Sequence, residues 1–325
     1  LVIKLSFLKF LFVLIPEYML DMFKYWKYSA SIKLDFITNK KKIQGRIIVL
    51  YHAIEKGLSI PGKTRVFGIE KRNNLIELMN IYEEKFGIDG LYKYCIIVLK
   101  KHEEWIRNNY PEIQNFKSIS HSNSNTSHYE NIKGGLRKVS VNKKRLNDFD
   151  YEQFVLSRHS IRSFTNEKVS DQKIKNAIKL AIHSPSVCNR QPWRIYKVSK
   201  NPLKSQILEL QRGNQGFGHL AKDILIITSD LSFFQGINER NQAYIEGGIF
   251  SMSIIYALHS QNIGTCCLNL SIDNRVENKL RSTLLLSQSE IFIMMVAVGE
   301  IPDDLDVAFS GRKNLNKIYF DLDEN

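Results

Sequence analysis

Ser184-Pro185-Ser186-Val187-Cys188-Asn189-Arg190-Gln191-Pro192-Trp193-Arg194 joins a helical pattern to a strand pattern, and its reading decides the fold. Before it, Ile174, Ala177, Ile178, Ala181 and Ile182 recur at helical spacing behind a predicted Ser170 N-cap. After it, Ile195-Tyr196-Lys197-Val198 reads as a short strand. Pro185 and Pro192 each bias the preceding residue away from helix, so the loop is predicted to be extended at both ends. Ser, Asn, Arg and Gln side chains between the prolines all suit hydrogen bonding to a planar polar ligand. On spacing alone, a polar helix-to-strand connection fits equally well.

Upstream stands Arg158-His159-Ser160-Ile161-Arg162-Ser163-Phe164. Two Arg, a His and a Ser within five positions make a compact anion-binding group, because guanidinium forks match phosphate oxygens and Ser and His add donors. The two segments, in this order and at this separation, resemble the FMN-dependent nitroreductase family. There an R-x-S-x-R/K segment grips the FMN phosphate and flavin edge, and a P-S-x-x-N-x-Q-P-W loop meets the isoalloxazine ring. The resemblance begins near Asp148 and implies a nitroreductase-like FMN-binding domain over residues 148–325.

What the resemblance implies for single residues can be set out in chain order. Arg158, His159, Ser160 and Arg162 would hold the phosphate and the flavin edge, with Arg162 beside N1 and C2=O. Pro185 and Ser186 open the ring loop, Asn189 would bond the pyrimidine edge, and Gln191 would add a polar contact. The backbone at Leu268 and Asn269 would pass the reactive edge, and Arg312 would reach the phosphate from the tail. Two departures stand out. Ser251 and Ser253 occupy the region where the family often has a Gln-Asn pair, and Ser310 stands where a further Lys is common, with Lys313 as a substitute. The chemistry would reside on the flavin, with no protein nucleophile. NADH or NADPH would reduce FMN and leave, and a small organic acceptor such as a nitro compound or quinone would take its place. The alternative is a flavin-binding protein with another role, either dehydrogenation of a biosynthetic intermediate in surface-polysaccharide metabolism or regulation, since fold does not fix function.

A formal net charge of +13 over 325 residues raises the question of polyanionic partners. Lys is scattered and does not alternate with aromatics, so solvated surface charge is favoured over a nucleic-acid site. Cys95, Cys188, Cys266 and Cys267 show no C-x-x-C spacing and no His at metal-finger distance, which argues against zinc. The adjacent Cys266 and Cys267 lie in an apolar run and read as buried small hydrophobes, and a reducing cytosol is the expected compartment.

Residues 1–114 are mainly helical in pattern. The chain opens at Leu1 without an initiator methionine, which leaves an upstream start open. Residues 1–15 are apolar but too short to span a bilayer, and Pro16 is predicted to end them. Leu5, Leu8, Leu11, Phe12 and Ile15 make one helical stripe that suits docking on the body, weak contact with a membrane surface, or an uncleaved signal. In Tyr51-His52-Ala53-Ile54-Glu55-Lys56-Gly57-Leu58, helical spacing puts His52 on one face with Glu55 and Lys56, and Gly57 is a natural stop. A capped helix end explains this segment, as does a His52 or Lys56 that reaches the flavin pocket. A similar H-x-x-E-K-G-L segment accompanies nitroreductase-like proteins of bacterial polysaccharide gene clusters. Residues 69–86 and 91–109 are predicted helices, and the Ser/Asn/His-rich stretch 115–147 is a predicted flexible linker in which His121 and His128 are too isolated to be metal ligands.

The remaining expectations concern packing. Gly213 to Gly218 is a glycine-rich loop without P-loop or Rossmann context, read as a flexible lid. Residues 240–260 form a helix that is apolar nearly all round and therefore needs burial, which the resemblance places at the centre of a homodimer with FMN at the interface. Strands are predicted at 224–228, 264–270 and 290–298. The whole reads as an α+β fold, with helices flanking a sheet that the resemblance makes mixed and mainly antiparallel, preceded by a helical region.

Overall fold

The structure, a computed structural model, describes residues 2–30, 37–60, 66–113, 116–117, 134–135, 150–308, 310 and 312–323. The proposed linker therefore lies mostly outside the described residues, as do His121 and His128. Nine described helices and four strands follow one another as α1 (Val2–Tyr28), α2 (Lys40–Ser59), α3 (Ile69–Phe86), α4 (Gly90–Asn109), α5 (Tyr151–Leu156), α6 (Asp171–Ala181), β1 (Trp193–Val198), α7 (Leu203–Leu210), β2 (Asp223–Asp230), α8 (Gln242–His259), β3 (Ile263–Leu268), α9 (Asn274–Leu284) and β4 (Glu290–Glu300).

The fold is α+β. The four strands are ordered β1-β2-β4-β3 and every neighbouring pair is antiparallel. Every residue of β2 is buried. Strand alternation sends Leu225 and Ile227 to one face of the sheet and Ile224 and Ile226 to the other. On the first face they meet Ile174 and Ala177 of α6 and Phe250, Ile254 and Leu258 of α8. On the second they meet Ile207 and Leu208 of α7 and Leu280 of α9. Trp193 of β1 stacks on Phe250 with ring centroids 4.5 Å apart and planes 5° from parallel, which fixes the start of β1 against α8.

The capping residues do what their chemistry predicts. The Ser170 side chain accepts from the Gln172 N–H at the start of α6, and Asp273 accepts from the Val276 N–H at 2.8 Å at the start of α9. Asn39 and Asp89 cap α2 and α4 in the same way. A second core joins α2, α3 and α4 through Ile43, Ile47, Ile54, Leu75, Met79, Cys95 and Leu99.

Three expectations need correction. Pro16 does not end α1, which runs on to Tyr28. The later turns dock on the body: Lys24 pairs with Glu277, Glu17 accepts from Asn274, and the Tyr25 hydroxyl donates to the Gly236 carbonyl at 2.6 Å. Those tertiary contacts outweigh the one backbone bond that Pro16 removes. Gly57 does not stop α2 either. The helix reaches Ser59, and the Ile60 N–H then returns to the Gly57 carbonyl. Cys266 is buried but Cys267 is exposed, because successive strand residues face opposite ways. Among the described residues no helix is long and apolar enough to cross a membrane.

Helix α2 joins the later turns of α1 in binding the helical region to the sheet domain. It packs on the turn at Leu231–Phe233, where Lys41 forms an ion pair of 2.6 Å with the fully buried Asp230. Burial alone would raise the Asp230 carboxyl, but Lys41 and the Ser232 N–H hold it below its ordinary value. A Cβ at Gly45 would sit 3.1 Å from the Phe233 Cα, so the two backbones lie close and any side chain there would force the Phe233 backbone to shift. Gly45→Val is expected to lower stability by about 1–3 kcal/mol through overpacking against that backbone. A urea midpoint equal to wild type would contradict this contact.

Candidate functional site

The Ser184–Arg194 segment is more tightly wound than two prolines suggest. It contains a 3-10 turn at Val187–Asn189, and three non-glycine residues have positive φ: Cys188 at 52°, Asn189 at 55° and Gln191 at 50°. Left-handed geometry at non-glycine residues costs on the order of 1–3 kcal/mol each and persists only where surrounding bonds impose it. Those bonds are visible. The Val187 N–H donates to Glu246 Oε1 of α8 at 2.8 Å. The Gln191 N–H donates to Ser186 Oγ, and Ser184 Oγ donates to Ser253 Oγ of α8 at 2.7 Å.

Arg190 is the anchor. Sequence reasoning grouped it with the ligand-facing polar residues of the loop, and the structure corrects that. Its side chain is fully buried, with Nη1 and Nη2 each 2.9 Å from a different oxygen of Glu239, Nη1 also donating to the Phe233 carbonyl, and Nε donating to the Val187 carbonyl. All five donors of a guanidinium cannot serve a ligand when this many are engaged.

What the loop presents outward is Pro185, Asn189 and Gln191, all exposed, with Ser186 half-buried. Gln191 Nε2 donates to Asn189 Oδ1 at 3.1 Å, leaving the Asn189 amide N–H groups without an acceptor among the described residues. The pair is therefore partly satisfied within its own loop and retains free donors.

The basic segment lies elsewhere. The Ile161 N–H donates to the Thr265 carbonyl, which lays residues 158–162 along the outer edge of β3. Ser157 Oγ lies 3.0 Å from His259 Nε2 at the C-terminal end of α8, and Phe154 packs its ring on the same imidazole. Burial first, and then the nearby charges of Arg158 and His159, hold His259 below its ordinary pKa despite the Phe154 carbonyl. Arg162 lies 5.8 Å from the ring centroid of Phe217 in the glycine-rich loop. That loop is pinned, since the buried Asn214 donates to the Leu208 carbonyl and Gln211 Nε2 donates to the Asn269 carbonyl at 2.8 Å. Asn269 is exposed, and Leu268 contributes its side chain to the core, so only its backbone is open to a ligand role.

Partner accounting separates two kinds of arginine. Arg72, Arg190 and Arg281 are buried and each is paired with a glutamate. Arg158, Arg162 and Arg312 have no carboxylate partner among the described residues; Arg162 and Arg312 reach only the backbone carbonyls of Ser160 and Ser310. Unpaired guanidinium groups next to Ser160 fit the dianionic phosphate of FMN as a donor set.

The two groups do not converge in one chain. Glu246, which holds the Ser184–Arg194 loop, and His259, which abuts the basic segment, are thirteen residues apart on α8, roughly 20 Å along the axis. Around Gly248, where an added Cβ would meet nothing within 4 Å, α8 exposes Ile245 and Ile249, 54% and 41% accessible, on the face that also carries Met252. Within one chain the helix is thus buried on one side only.

Apart from the loop, a cavity of about 740 Å³ lies between α1 and the start of α8, lined by Tyr18, Met22, Trp26, Ile237, Arg240 and Tyr244 among others. It was not legible in the sequence, because α1 was expected to stop before these residues.

Comparison with known proteins follows the same division of the chain. Residues 155–300 match the model of the nitroreductase family. Iodotyrosine deiodinase of Hydra vulgaris is 27% identical over 208 residues, which is 55% of this chain and 75% of that protein. Among solved structures, a protein of Desulfovibrio desulfuricans assigned as a nitroreductase, in complex with FMN, is 23% identical, with 53% of this chain and 96% of that chain covered at a TM-score of 0.46. The NfrA1 nitroreductase of B. subtilis is 20% identical, with 54% and 74% covered at a TM-score of 0.47.

Glu246 yields a pH-dependent prediction. Burial, the largest effect, raises its carboxyl above the ordinary value, against the lowering effect of the Val187 N–H. A carboxyl whose pKa is higher in the folded state contributes stability below the unfolded pKa and loses it as pH rises through the folded value. Glu246→Gln keeps an acceptor for Val187 and removes the charge. It is expected to raise the melting temperature relative to wild type at pH 7, with the difference vanishing at about pH 4. Melting curves showing the same difference at both values would overturn the assignment.

Proposed function

We propose that the chain is an FMN-dependent oxidoreductase that takes electrons from NADH or NADPH and passes them to a small organic acceptor by a ping-pong route. The observation that carries this reading is the pair of arginines without a carboxylate partner among the described residues, Arg158 and Arg162, flanking His159 and Ser160 within the family-matched residues. Bound FMN would supply the hydride chemistry. Arg158, His159, Ser160 and Arg312 would hold its phosphate. Arg162 would offset negative charge on the ring, and the free amide donors of Asn189, with Ser186 and Gln191, would orient its polar edge. The Leu268–Asn269 backbone would line the reactive side. The FMN-binding domain is assigned to residues 148–325, and the association with surface-polysaccharide metabolism rests on the H-x-x-E-K-G-L segment alone.

The site is proposed to be built from two copies. Phosphate grip and ring loop sit at separate stretches of α8, and the apolar stripe between them is open. A second copy packed on that stripe would bring the ring loop of one chain toward the phosphate grip of the other and remove apolar surface worth roughly 25 cal/mol per Å² from water. The similarity to iodotyrosine deiodinase favours an aromatic acceptor, a halogenated phenol being a second reading beside nitro compounds and quinones.

The purified protein is expected to be yellow, with flavin absorbance that bleaches anaerobically on addition of NADH or NADPH. Arg158→Ala is expected to weaken FMN binding by about 1.5–3 kcal/mol, the scale of a hydrogen bond to a charged group; full FMN content and unaltered affinity would remove Arg158 from the grip. For assembly, Ile249→Glu is expected to convert a sedimenting dimer to monomer and to cost FMN as well. A flavin-loaded wild-type monomer at micromolar concentration would refute the two-copy site.

A further inference from the structure

Helix α2 lies outside the family-matched residues, yet it packs directly on the Val187–Asn189 turn. Its register identifies the side chains on that side. Ile43, Ile47, Ile54 and Leu58 enter the helical core. Gly45 lies opposite, against Phe233, and Lys41 on the same side reaches Asp230. With 3.6 residues per turn, His52 falls within about 20° of Gly45 and Lys56 within about 20° on the other side, so both share the face that α2 turns to the sheet domain.

His52 Nδ1 is buried without a hydrogen bond and lies 3.8 Å from Glu55 Oε2. Glu55 is itself fixed, accepting from the Tyr94 hydroxyl at 2.6 Å and from the Gly135 N–H at 3.0 Å. The carboxylate stands near Nδ1 without bonding it, so the His52 ring is not committed to Glu55 and is open to a ligand. Lys56 is exposed one turn on. Two other cations near this loop are committed, Arg190 to Glu239 and Lys41 to Asp230.

We propose that His52 and Lys56 form the acceptor-binding wall of the site and recognise a small planar acceptor through its carboxylate, set against the Asn189 loop. The proposal rests on the flavin reading above and gives the helical region a role in substrate selection. His52 and Lys56 each offer a donor to the carboxylate, and the ring of the acceptor lies toward Asn189.

The full chain loaded with FMN can be titrated with benzoate and, separately, with neutral benzamide, using the perturbation of flavin absorbance as the signal. His52→Asn is expected to lower the benzoate-to-benzamide affinity ratio about tenfold or more, the size of one charge-assisted bond. Lys56→Gln is expected to lower it in the same direction. Because Lys56 is exposed, that variant carries the test if His52→Asn fails to retain FMN. A yellow wild-type protein whose ratio is unchanged in both variants overturns the assignment and leaves the flavin reading intact. A colourless wild-type protein that cannot be reconstituted with FMN overturns both.

Discussion

The buried pairing of Arg190 with Glu239 is the interaction on which the rest of the site depends. Two parallel bonds of 2.9 Å tie the ring loop to the segment between β2 and α8, and the third bond to the Phe233 carbonyl ties it to the surface on which α2 rests. Removing Glu239 would strand the fully buried Arg190 guanidinium, whereas the Glu239 carboxylate keeps about a quarter of its surface in water. The bidentate geometry also dictates direction, which a Lys could not do. With Arg190 fixed, Cys188, Asn189 and Gln191 have little choice but the left-handed conformations they adopt. The loop presents Asn189 and Gln191 outward because Arg190 is held inward.

Much of this was legible in sequence where a residue acts on its own neighbourhood. Ser170 and Asp273 cap the helices they precede, and the apolar runs at β2 and β4 became strands. The basic segment and the proline-bounded loop were both visible as pairs of motifs. What stayed hidden depends on partners distant in the chain. Nothing near Pro16 reveals that Glu277 and Gly236 will hold α1 past it, and nothing near Arg190 announces Glu239. The hydropathy of α8 was read correctly as apolar on most sides, but hydropathy cannot say whether a face is covered by the same chain or by another.

The sheet and the helical region divide the work. Antiparallel pairing about β2 and β4 gives a rigid floor, and α8 lies on it as a bar with a loop at one end and a basic segment at the other. The helical region adds no strand to that floor, though Tyr25 and Tyr28 of α1 pack on the cluster that includes Ile291 of β4. It approaches from the side through α2, with Gly45 permitting contact so close that helix and turn share one backbone-to-backbone surface.

Strand β1 stands at the end of the described sheet, with one row of backbone groups not engaged by another described strand. Such an edge invites the addition of a strand from another molecule. Here the strand is six residues long and carries Arg194 and Lys197, and Lys197 is held at the edge by Asp171 and Asp223. A cation kept in place by two carboxylates cannot easily be pushed aside by an incoming β-strand. The same charges that tether β1 to α6 therefore act as a gatekeeper against edge-to-edge aggregation, and they do so without touching the surface of α8.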